Sequence, residues 1–391
     1  MSQHDPYFIP LYALKSISCL IAYHVAKMVI LSFHMGKFAS CLKISTILPL
    51  FKSGDQKCTN NYRPIAILTW LSKVVERIAL RRLQCFLDLN HTIDNNQFGF
   101  QKGKNTEKAV FQVISHICMK CSHRRNCIAL FLDFQKAFDR VNHFILLNKL
   151  KDIGIHGMDL NFLSSYLSGR SICTKINNCT SHLQNINRGV PQGSHLGPVL
   201  FLIFINDLCK FINSDFSKTI LFADDSTIII DGDDNDILSN TTIVCNKISQ
   251  WVSNSNMSLN HSKCKYMFFS HKNRLDNVIP VKINSFNITP VYNFKLLGII
   301  IDNYFSFNHQ ILQLKKKLSH YLPLFNKLKY LLRKYVKLLL FHASIQSQIS
   351  YLSSFYINIS KNNLLKNHSI HRKIVKSLFQ YNCNFSDDFF L

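Results

Sequence analysis

Three aspartates stand where their side chains could do chemistry together. Asp224 and Asp225 are adjacent, and apolar, β-branched runs flank them on both sides. This pattern predicts a strand, a tight turn and a second strand, with the acids at the tip of the hairpin. Asp133 lies in another apolar run, residues 128–134, which predicts a further strand. Neighbouring carboxylates repel each other and suit a hard cation such as Mg²⁺, so the pattern predicts two-metal phosphoryl transfer.

The charge of the chain indicates a polyanionic partner. Its 391 residues include 46 Lys and Arg against 22 Asp and Glu, a formal net charge of +24. Nucleic acid is the first candidate for that partner and an anionic membrane surface is the second. A basic protein without any polyanionic partner is the remaining alternative. The hydrophobic content of 47% excludes a disordered chain and predicts a globular one.

The cysteines favour a reducing compartment, and we therefore expect an intracellular protein. The chain has 13 Cys, an odd number without a regular framework, and no evident secretory signal. Cys118, Cys121, His123 and Cys127 form one metal-like cluster. Their spacing is compressed for a structural zinc site, so a basic connecting loop is the preferred interpretation.

An apolar stretch near the start of the chain raises the question of a membrane span. Residues 17–35 contain His24, Lys27 and His34, and their apolar residues fall at helical spacing. The pattern therefore predicts a buried amphipathic helix, and no membrane partner is expected.

Apolar periodicity predicts further elements along the chain. Helices are expected up to about residue 37, at 71–89, from Thr106, at 142–150, 199–208 and 241–252, and from about residue 310 onward. Strands are expected at 44–51, 128–134, 266–269 and 296–301, besides the aspartate hairpin. The order is α/β through the middle and all-helical at the end, which predicts at least two units.

Seven blocks of sequence carry a resemblance to a known family. They are ILPLFKSGD (47–55) with NYRPI (61–65), QFGFQKGKNT (97–106), FLDFQKAFDRVNH (131–143), RGVPQGS (188–194) with its continuation to residue 208, FADD (222–225), the stretch 251–267, and FKLLGIIID (294–302). In this order they resemble the reverse transcriptases of non-LTR (LINE-like, jockey-type) retrotransposons. The resemblance runs from about residue 44 to about residue 302. Gln101, Asn105 and His195 depart from the family's pattern.

The resemblance implies an architecture and an activity. The fold would be a right-hand polymerase, with fingers and palm around an α/β sheet and then an all-helical thumb. Residues 1–43 would extend the fingers, 44–302 would form fingers and palm, and 303–391 a basic thumb-like region. The enzyme would extend a DNA primer on an RNA template with deoxynucleotide triphosphates, using two Mg²⁺ ions, for which Mn²⁺ could substitute. It would work in the nucleus if it acts at chromosomal DNA.

The resemblance also assigns roles to single residues. The implied metal ligands are Asp133, Asp224 and Asp225, and the implied proton donor to pyrophosphate is Lys263, with Lys265 close by. The implied nucleotide contacts are Lys52 and Arg63 at the triphosphate, Phe138 under the sugar, and Gln192 and Gly193 near the nucleotide and template. A large ring such as Phe138 would exclude a 2′-hydroxyl by steric clash. Lys102 and Lys104 would contact the template, and Gly298 the primer.

Two other interpretations stay open. One is a catalytically silent nucleic-acid-binding relic of such an element. The other is a different reverse transcriptase lineage, such as an intron maturase. The chain has no room for an upstream endonuclease, so we expect a piece of a longer polyprotein or a degenerate genomic copy.

Overall fold

The computed structural model describes residues 11–177, 179–270, 280–328, 330–351 and 372–376. These residues belong to two compact units. The first unit comprises residues 1–105, 129–265 and 279–289, and the second comprises residues 106–128, 266–278 and 290–391. Helices and strands alternate through the middle of the chain and helices close it, which confirms the predicted mixed α/β class.

The secondary structure can be given in chain order. The helices are α1 (Leu11–Ser16), α2 (Ser18–His34), α3 (Trp70–Leu89), α4 (Thr106–Ser122), α5 (Ala137–Arg140), α6 (His143–Asp152), α7 (Gly157–Leu167), α8 (Leu196–Ile205), α9 (Asp207–Ile212), α10 (Ile237–Asn254), α11 (Asn308–Leu328), α12 (Lys334–Phe341) and α13 (Ser347–Ser350). The strands are β1 (Ile44–Phe51), β2 (Tyr62–Ile67), β3 (Asn126–Leu132), β4 (Arg170–Ile176), β5 (Cys179–Thr180), β6 (Gln184–Ile186), β7 (Ser217–Phe222), β8 (Asp225–Gly232), β9 (Lys265–Phe269), β10 (Lys282–Ile283), β11 (Phe286–Asn287), β12 (Thr289–Pro290), β13 (Asn293–Leu296) and β14 (Ile299–Asp302).

A mixed sheet in the first unit is built on β1. This strand pairs antiparallel with β2 and parallel with β4, and β4 pairs antiparallel with β5 and β6. The predicted strand at 44–51 is confirmed to the residue. Strands β4 to β6 were not predicted, because their half-exposed residues show no clean alternation of polar and apolar side chains.

The strands β3, β8 and β7 lie side by side in that order. Every residue of β3 is buried, which explains its continuous apolar sequence. The strand ends at Leu132, two residues before its predicted end, so Asp133 follows the strand directly. Strands β7 and β8 form the predicted hairpin, with Phe222 paired to Asp225 across a two-residue turn. Asp225 is therefore the first residue of β8, and Asp224 occupies the turn.

The core of the first unit is formed by helices that pack their apolar residues inward. In α8, nine of the ten residues from Leu196 to Ile205 are buried, Pro198 being the exception. The predicted helix at 199–208 begins earlier, and the helical segment is divided between α8 and α9 at Asn206. The Asn206 side chain accepts a hydrogen bond from the Asp94 N–H (2.8 Å) and donates one to the Thr92 carbonyl (2.9 Å). These two bonds tie the junction of α8 and α9 to the loop that follows α3.

Helix α2 is not the buried amphipathic helix that its sequence predicts. Among its residues only Val29 is buried, whereas Leu20 is 76% and Tyr23 is 68% exposed. On its packed side, Phe33 meets Phe162 of α7 with ring centroids 4.8 Å apart. Among the described helices, none combines the length and the apolar character that crossing a membrane requires.

The second unit differs from the prediction at two places. Residues 296–301 are not one strand but part of a hairpin of β13 and β14, because Leu297 and Gly298 both have positive φ and reverse the chain. Cys118 and Cys121 lie in α4 and Cys127 in β3, so the predicted basic connecting loop is confined to residues 123–125. Helices α11 and α12 confirm the helical prediction after residue 310 within the described residues.

Candidate active site

The turn that carries Asp224 is held by a buried glutamine. The side-chain oxygen of Gln97 accepts the N–H of Gly99 (2.8 Å) and the N–H of Ala223 (3.0 Å), and Gln97 is fully buried. The backbone on either side of Gln97 adds two hydrogen bonds to β7. The Phe98 N–H donates to the Leu221 carbonyl (2.7 Å), and the Leu221 N–H donates to the Asn96 carbonyl (2.9 Å). The segment around Gln97 therefore determines the position of the Ala223–Asp224 turn.

Gly99 makes this attachment possible. A Cβ atom at Gly99 would lie 2.4 Å from the backbone nitrogen of Ala223, closer than real Cβ contacts occur. Ala223 itself has a φ of 57°, a left-handed conformation that a non-glycine residue adopts only under constraint. The two segments thus approach at backbone distance, and the turn keeps its conformation because Gln97 satisfies the Ala223 N–H.

Asp133 is fixed by the segment that contains Lys263. The Asn260 N–H donates to the Asp133 carbonyl (2.7 Å), and the Asp133 N–H donates to the Cys264 sulfur (3.4 Å). The Lys263 ammonium lies 3.9 Å from the Asp133 carboxylate, and both side chains reach solvent. An ion pair this exposed contributes little to the stability of the fold. Its importance is that it places the Lys263 ammonium beside the Asp133 carboxylate.

The pKa values of Asp224 and Asp225 depend on burial and on the charges of neighbouring carboxylates. Burial raises the pKa of Asp225 to about 6, and the charges of Asp224 and Asp133 act in the same direction, although Asp225 keeps contact with solvent. Burial also raises the pKa of Asp224, Asp133 adds to the rise, and Arg63 opposes it. A like charge that raises the pKa of a neighbouring carboxyl is offset by a cation, which is the behaviour expected of a metal-binding site.

The donor set fits Mg²⁺ when substrate supplies part of the coordination. Within the described part of the chain, no group of three or more His, Cys, Asp or Glu is arranged to hold a metal ion by itself. Mg²⁺ commonly binds one or two carboxylates, several waters and substrate phosphates. Asp133, Asp224 and Asp225 would therefore hold Mg²⁺ together with a triphosphate, whereas the Cys118 cluster offers no such substrate ligand.

The residues predicted to contact the sugar and base lie around the segment 188–194. The Phe138 ring stacks on the buried Phe201 ring, with centroids 4.4 Å apart and planes at 22°. The Gln192 carbonyl accepts the Ala66 N–H of β2 (2.7 Å). Gly193 is exposed and packs so closely on Ala66 that a Cβ would lie 2.5 Å from its carbonyl oxygen. The segment is therefore held between β2 and α5, the short helix that contains Phe138.

The two predicted triphosphate contacts lie on the β1–β2 hairpin. Arg63 is in β2, opposite Leu50, and Lys52 follows β1 with its N–H bonded to the Asn61 carbonyl (2.9 Å). Both side chains are exposed. Their charges act on different carboxylates. Burial raises the pKa of Asp224 and the charge of Arg63 partly opposes that rise. Burial likewise raises the pKa of Asp139, and the charge of Lys52 partly opposes it.

The predicted template and primer contacts are more scattered. Lys102 is exposed. The Lys104 ammonium instead donates to the carbonyls of Asn95 and Gln97 (2.8 Å each), and burial lowers its pKa. Gly298 belongs to the second unit, at the tip of the β13–β14 hairpin. The Lys104 ammonium is thus bonded within its own loop, where it supports the segment that holds the Ala223–Asp224 turn.

A buried carboxylate that sequence reasoning missed anchors the start of α8. Glu76 of α3 is fully buried, and its carboxylate accepts the His195 N–H (2.7 Å), the Ser72 hydroxyl (3.2 Å) and the Tyr166 hydroxyl (3.3 Å). His195 departs from the family's pattern. The fold accommodates it because its side chain is exposed and its backbone N–H is bonded to Glu76. A glutamate on the mainly apolar buried face of α3 is the one signal that could have revealed this anchor.

Gln97 provides a test of how the Ala223–Asp224 turn is held. Replacing Gln97 by Leu leaves the N–H groups of Gly99 and Ala223 buried without an acceptor. We expect the free energy of unfolding to fall by about 2 to 3 kcal/mol. Urea denaturation measures this, with Gln84→Leu on the exposed face of α3 as the control. Equal unfolding midpoints for Gln97→Leu and wild type would show that the two hydrogen bonds do not support the turn.

Comparison with known proteins gives the family. Residues 52–301 match the model of the reverse transcriptase (RNA-dependent DNA polymerase) family. The chain is 29% identical over 280 residues to a probable RNA-directed DNA polymerase from transposon X-element of Drosophila melanogaster, covering 71% of this chain and 30% of the relative. It is 28% identical over 291 residues to the RNA-directed DNA polymerase from mobile element jockey of the same species, covering 72% and 31%. The chain thus spans less than a third of the length of these relatives.

The matched region contains the aspartate hairpin, the Asp133 strand, the β1–β2 hairpin and the segment 188–194. Both the family model and the mobile-element relatives agree with the resemblance that the seven sequence blocks carry. The chain therefore belongs to the reverse transcriptase family, and the relatives that it resembles are polymerases of mobile elements.

Proposed function

We propose that this chain is an active RNA-directed DNA polymerase that extends a primer 3′-hydroxyl by two-metal catalysis. The observation that carries the proposal is the placement of Asp224 and Asp225 on the β7–β8 hairpin beside β3, which ends at Asp133. Burial raises the pKa of Asp225 to about 6, and electrostatic coupling to Asp224 and Asp133 acts in the same direction. Such coupling suits a site that binds divalent cations and transfers phosphoryl groups. The relatives are longer than this chain, so the activity, template and primer are proposed for the chain itself.

The proposed mechanism assigns a physical task to each group. When bound, two Mg²⁺ ions would lower the pKa of the primer hydroxyl and neutralise the leaving pyrophosphate. Asp133, Asp224 and Asp225 would hold these ions, and the charges of Lys52 and Arg63 would neutralise triphosphate oxygens. These residues do not react covalently, since the primer supplies the nucleophile.

Three further residues would act around the nucleotide. Lys263, beside Asp133, would donate a proton to the leaving pyrophosphate. The Phe138 ring would exclude a ribose 2′-hydroxyl, and the Gln192 amide would hydrogen-bond near the nucleotide. An exposed Lys102 would contact the template backbone by charge alone.

Primer extension on an RNA template tests the function. We expect wild type to extend a DNA primer with deoxynucleotide triphosphates and Mg²⁺, and Asp133→Asn to give no extension. Both proteins should bind template–primer equally, because the substitution removes a metal ligand and leaves the basic surface unchanged. A folded wild type that binds template–primer without extending it would support the silent relic and overturn the proposal.

The raised pKa of Asp225 predicts a pH-dependent response to Mg²⁺. Its folded-state pKa of about 6 exceeds the ordinary value of 3.8, so the metal-free fold holds this proton more tightly than the unfolded chain does. The stability contributed by this group therefore falls as pH rises from about 4 to about 6. Above that range the free carboxylate can bind Mg²⁺, and below it the proton competes with the ion.

Thermal unfolding with and without Mg²⁺ measures this effect. We expect Mg²⁺ to raise Tm at pH 7.5 and to have little effect at pH 5, with apparent Mg²⁺ affinity falling about tenfold per pH unit below the pKa. Asp225→Asn should remove most of the Mg²⁺ response at pH 7.5. An equal rise in Tm at both pH values would contradict a role for Asp225 in binding the ion.

A further inference from the structure

Asp139 makes a direct side-chain contact with Gln192. The Gln192 amide nitrogen donates to the Asp139 carboxylate at 2.8 Å, and both side chains are half-buried. Asp139 lies in α5, one residue after Phe138. The same short helix thus supplies the ring proposed to lie under the sugar and the carboxylate that meets the amide.

The backbone around this contact is fixed from both sides. The Val190 N–H donates to the Phe138 carbonyl (2.9 Å), and the Gly189 N–H donates to the Val141 carbonyl (2.8 Å). A Cβ at Gly189 would lie 2.8 Å from the Asp139 carbonyl oxygen, so this approach requires glycine. Gln192 is in turn held through its own carbonyl by Ala66. The segment 188–194 therefore lies at a set distance from α5.

The contact determines which way the Gln192 amide faces. A glutamine amide has an acceptor oxygen on one side and a donor nitrogen on the other, and rotation by 180° exchanges them. Asp139 accepts hydrogen bonds when ionised, so it selects the orientation in which the nitrogen faces α5 and the oxygen faces away from it. Without Asp139, the side chain regains rotamer freedom that nucleotide binding must then remove.

The surroundings of Asp139 act on its charge in opposite directions. Burial raises the pKa of Asp139, while the hydrogen bond from Gln192 and the charges of Lys136 and Lys52 lower it. The amide thus compensates a partly buried carboxylate, and the carboxylate orients the amide. Lys52, a proposed triphosphate contact, also belongs to this environment.

We propose that Asp139 is a positioning residue that sets the orientation of the Gln192 amide for the incoming nucleotide. This inference rests on the proposed polymerase function and on the role of Gln192 in nucleotide binding. Asp139 acts through Gln192 and does not itself contact metal or nucleotide. Its loss therefore affects nucleotide binding, whereas Mg²⁺ dependence and template–primer affinity stay unchanged.

A double-mutant cycle tests the inference. The variants are Asp139→Ala, Gln192→Ala and the two combined, and KM and kcat are measured for one deoxynucleotide on an RNA template. We expect each single variant to raise KM by about tenfold, the effect of one lost hydrogen bond. The double variant should match Gln192→Ala, because Asp139 has nothing left to position. A double variant whose KM rises by the product of the two single effects would overturn the inference.

A conservative variant separates positioning from a merely structural role. Asp139→Asn keeps a side-chain oxygen that accepts from Gln192, so its KM should stay within about threefold of wild type. A KM for Asp139→Asn equal to that of Asp139→Ala would overturn the inference. Where Asp139→Ala does not fold, Asp139→Ser repeats the cycle, because its hydroxyl is too short to reach Gln192.

The failure of this inference is distinguishable from failure of the proposed function. No extension by wild type would refute the proposed polymerase function, and with it the inference that rests on that function. Extension by wild type with an unchanged KM in Gln192→Ala would refute the role of Gln192 and with it the inference. Extension with a raised KM in Gln192→Ala and an unchanged KM in Asp139→Ala would refute the role of Asp139 alone.

Discussion

Replacing Asp224 by Asn is expected to reduce primer extension by about 1,000-fold or more, while template–primer binding stays within about twofold of wild type. The amide has the shape of the carboxylate but lacks the negative charge that a divalent cation requires. The turn should keep its conformation, because Gln97 holds the neighbouring Ala223 N–H. The basic residues that attract nucleic acid are unchanged.

Single-turnover extension and fluorescence anisotropy measure the two effects separately. Asp233→Asn is the matched control, since Asp233 is exposed and follows the other end of β8. The control should extend primers at the wild-type rate. Parallel losses of binding and extension in Asp224→Asn would remove the support for a metal-binding role, because a metal ligand contributes to chemistry far more than to binding of the duplex.

Replacing Phe138 by Val is expected to weaken discrimination against ribonucleotides by about 10- to 100-fold. The Phe138 ring cannot easily move aside, since it stacks on the buried Phe201 ring and its carbonyl is bonded to Val190. A fixed ring excludes a 2′-hydroxyl by steric clash, and the smaller side chain opens that space. Deoxynucleotides do not use this space, so their incorporation should change much less.

The ratio of kcat/KM for a deoxynucleotide to kcat/KM for the matching ribonucleotide measures this discrimination. Phe144→Val is the control, because Phe144 is the same residue type, lies on the neighbouring helix α6 and is exposed. If Phe138→Val lowered both incorporation rates equally and left the ratio unchanged, the ring would be a packing residue only. A lower ratio in the control would show that the effect is not local to Phe138.

Much of the fold could be predicted because its signals are local. Strand β1, the aspartate hairpin and helix α3 follow from the spacing of apolar residues over a few turns or strand positions. Asn142 was predicted to begin a helix, and it caps α6 with its side-chain oxygen. These elements form where neighbouring residues along the chain favour one backbone conformation.

The errors occurred where distant parts of the chain decide the outcome. The apolar residues of α2 predicted burial, but Val29 is the one buried residue of this helix. The apolar run at 296–301 predicted one strand, but the turn at Leu297 and Gly298 divides it between two paired strands. Strand β4 lacks a strong pattern of its own and is defined by its pairing with β1.

The sequence by itself determined the family, the basic charge and the three aspartates with the strands that carry them. Only the tertiary structure showed how the surrounding residues are held: Gln97 binds Ala223 across 126 positions, Glu76 binds His195 across 119, and Asp139 binds Gln192 across 53. The reason is physical. Apolar periodicity reports which face of an element is buried, whereas a buried polar side chain takes its partner from whichever distant segment packs against it.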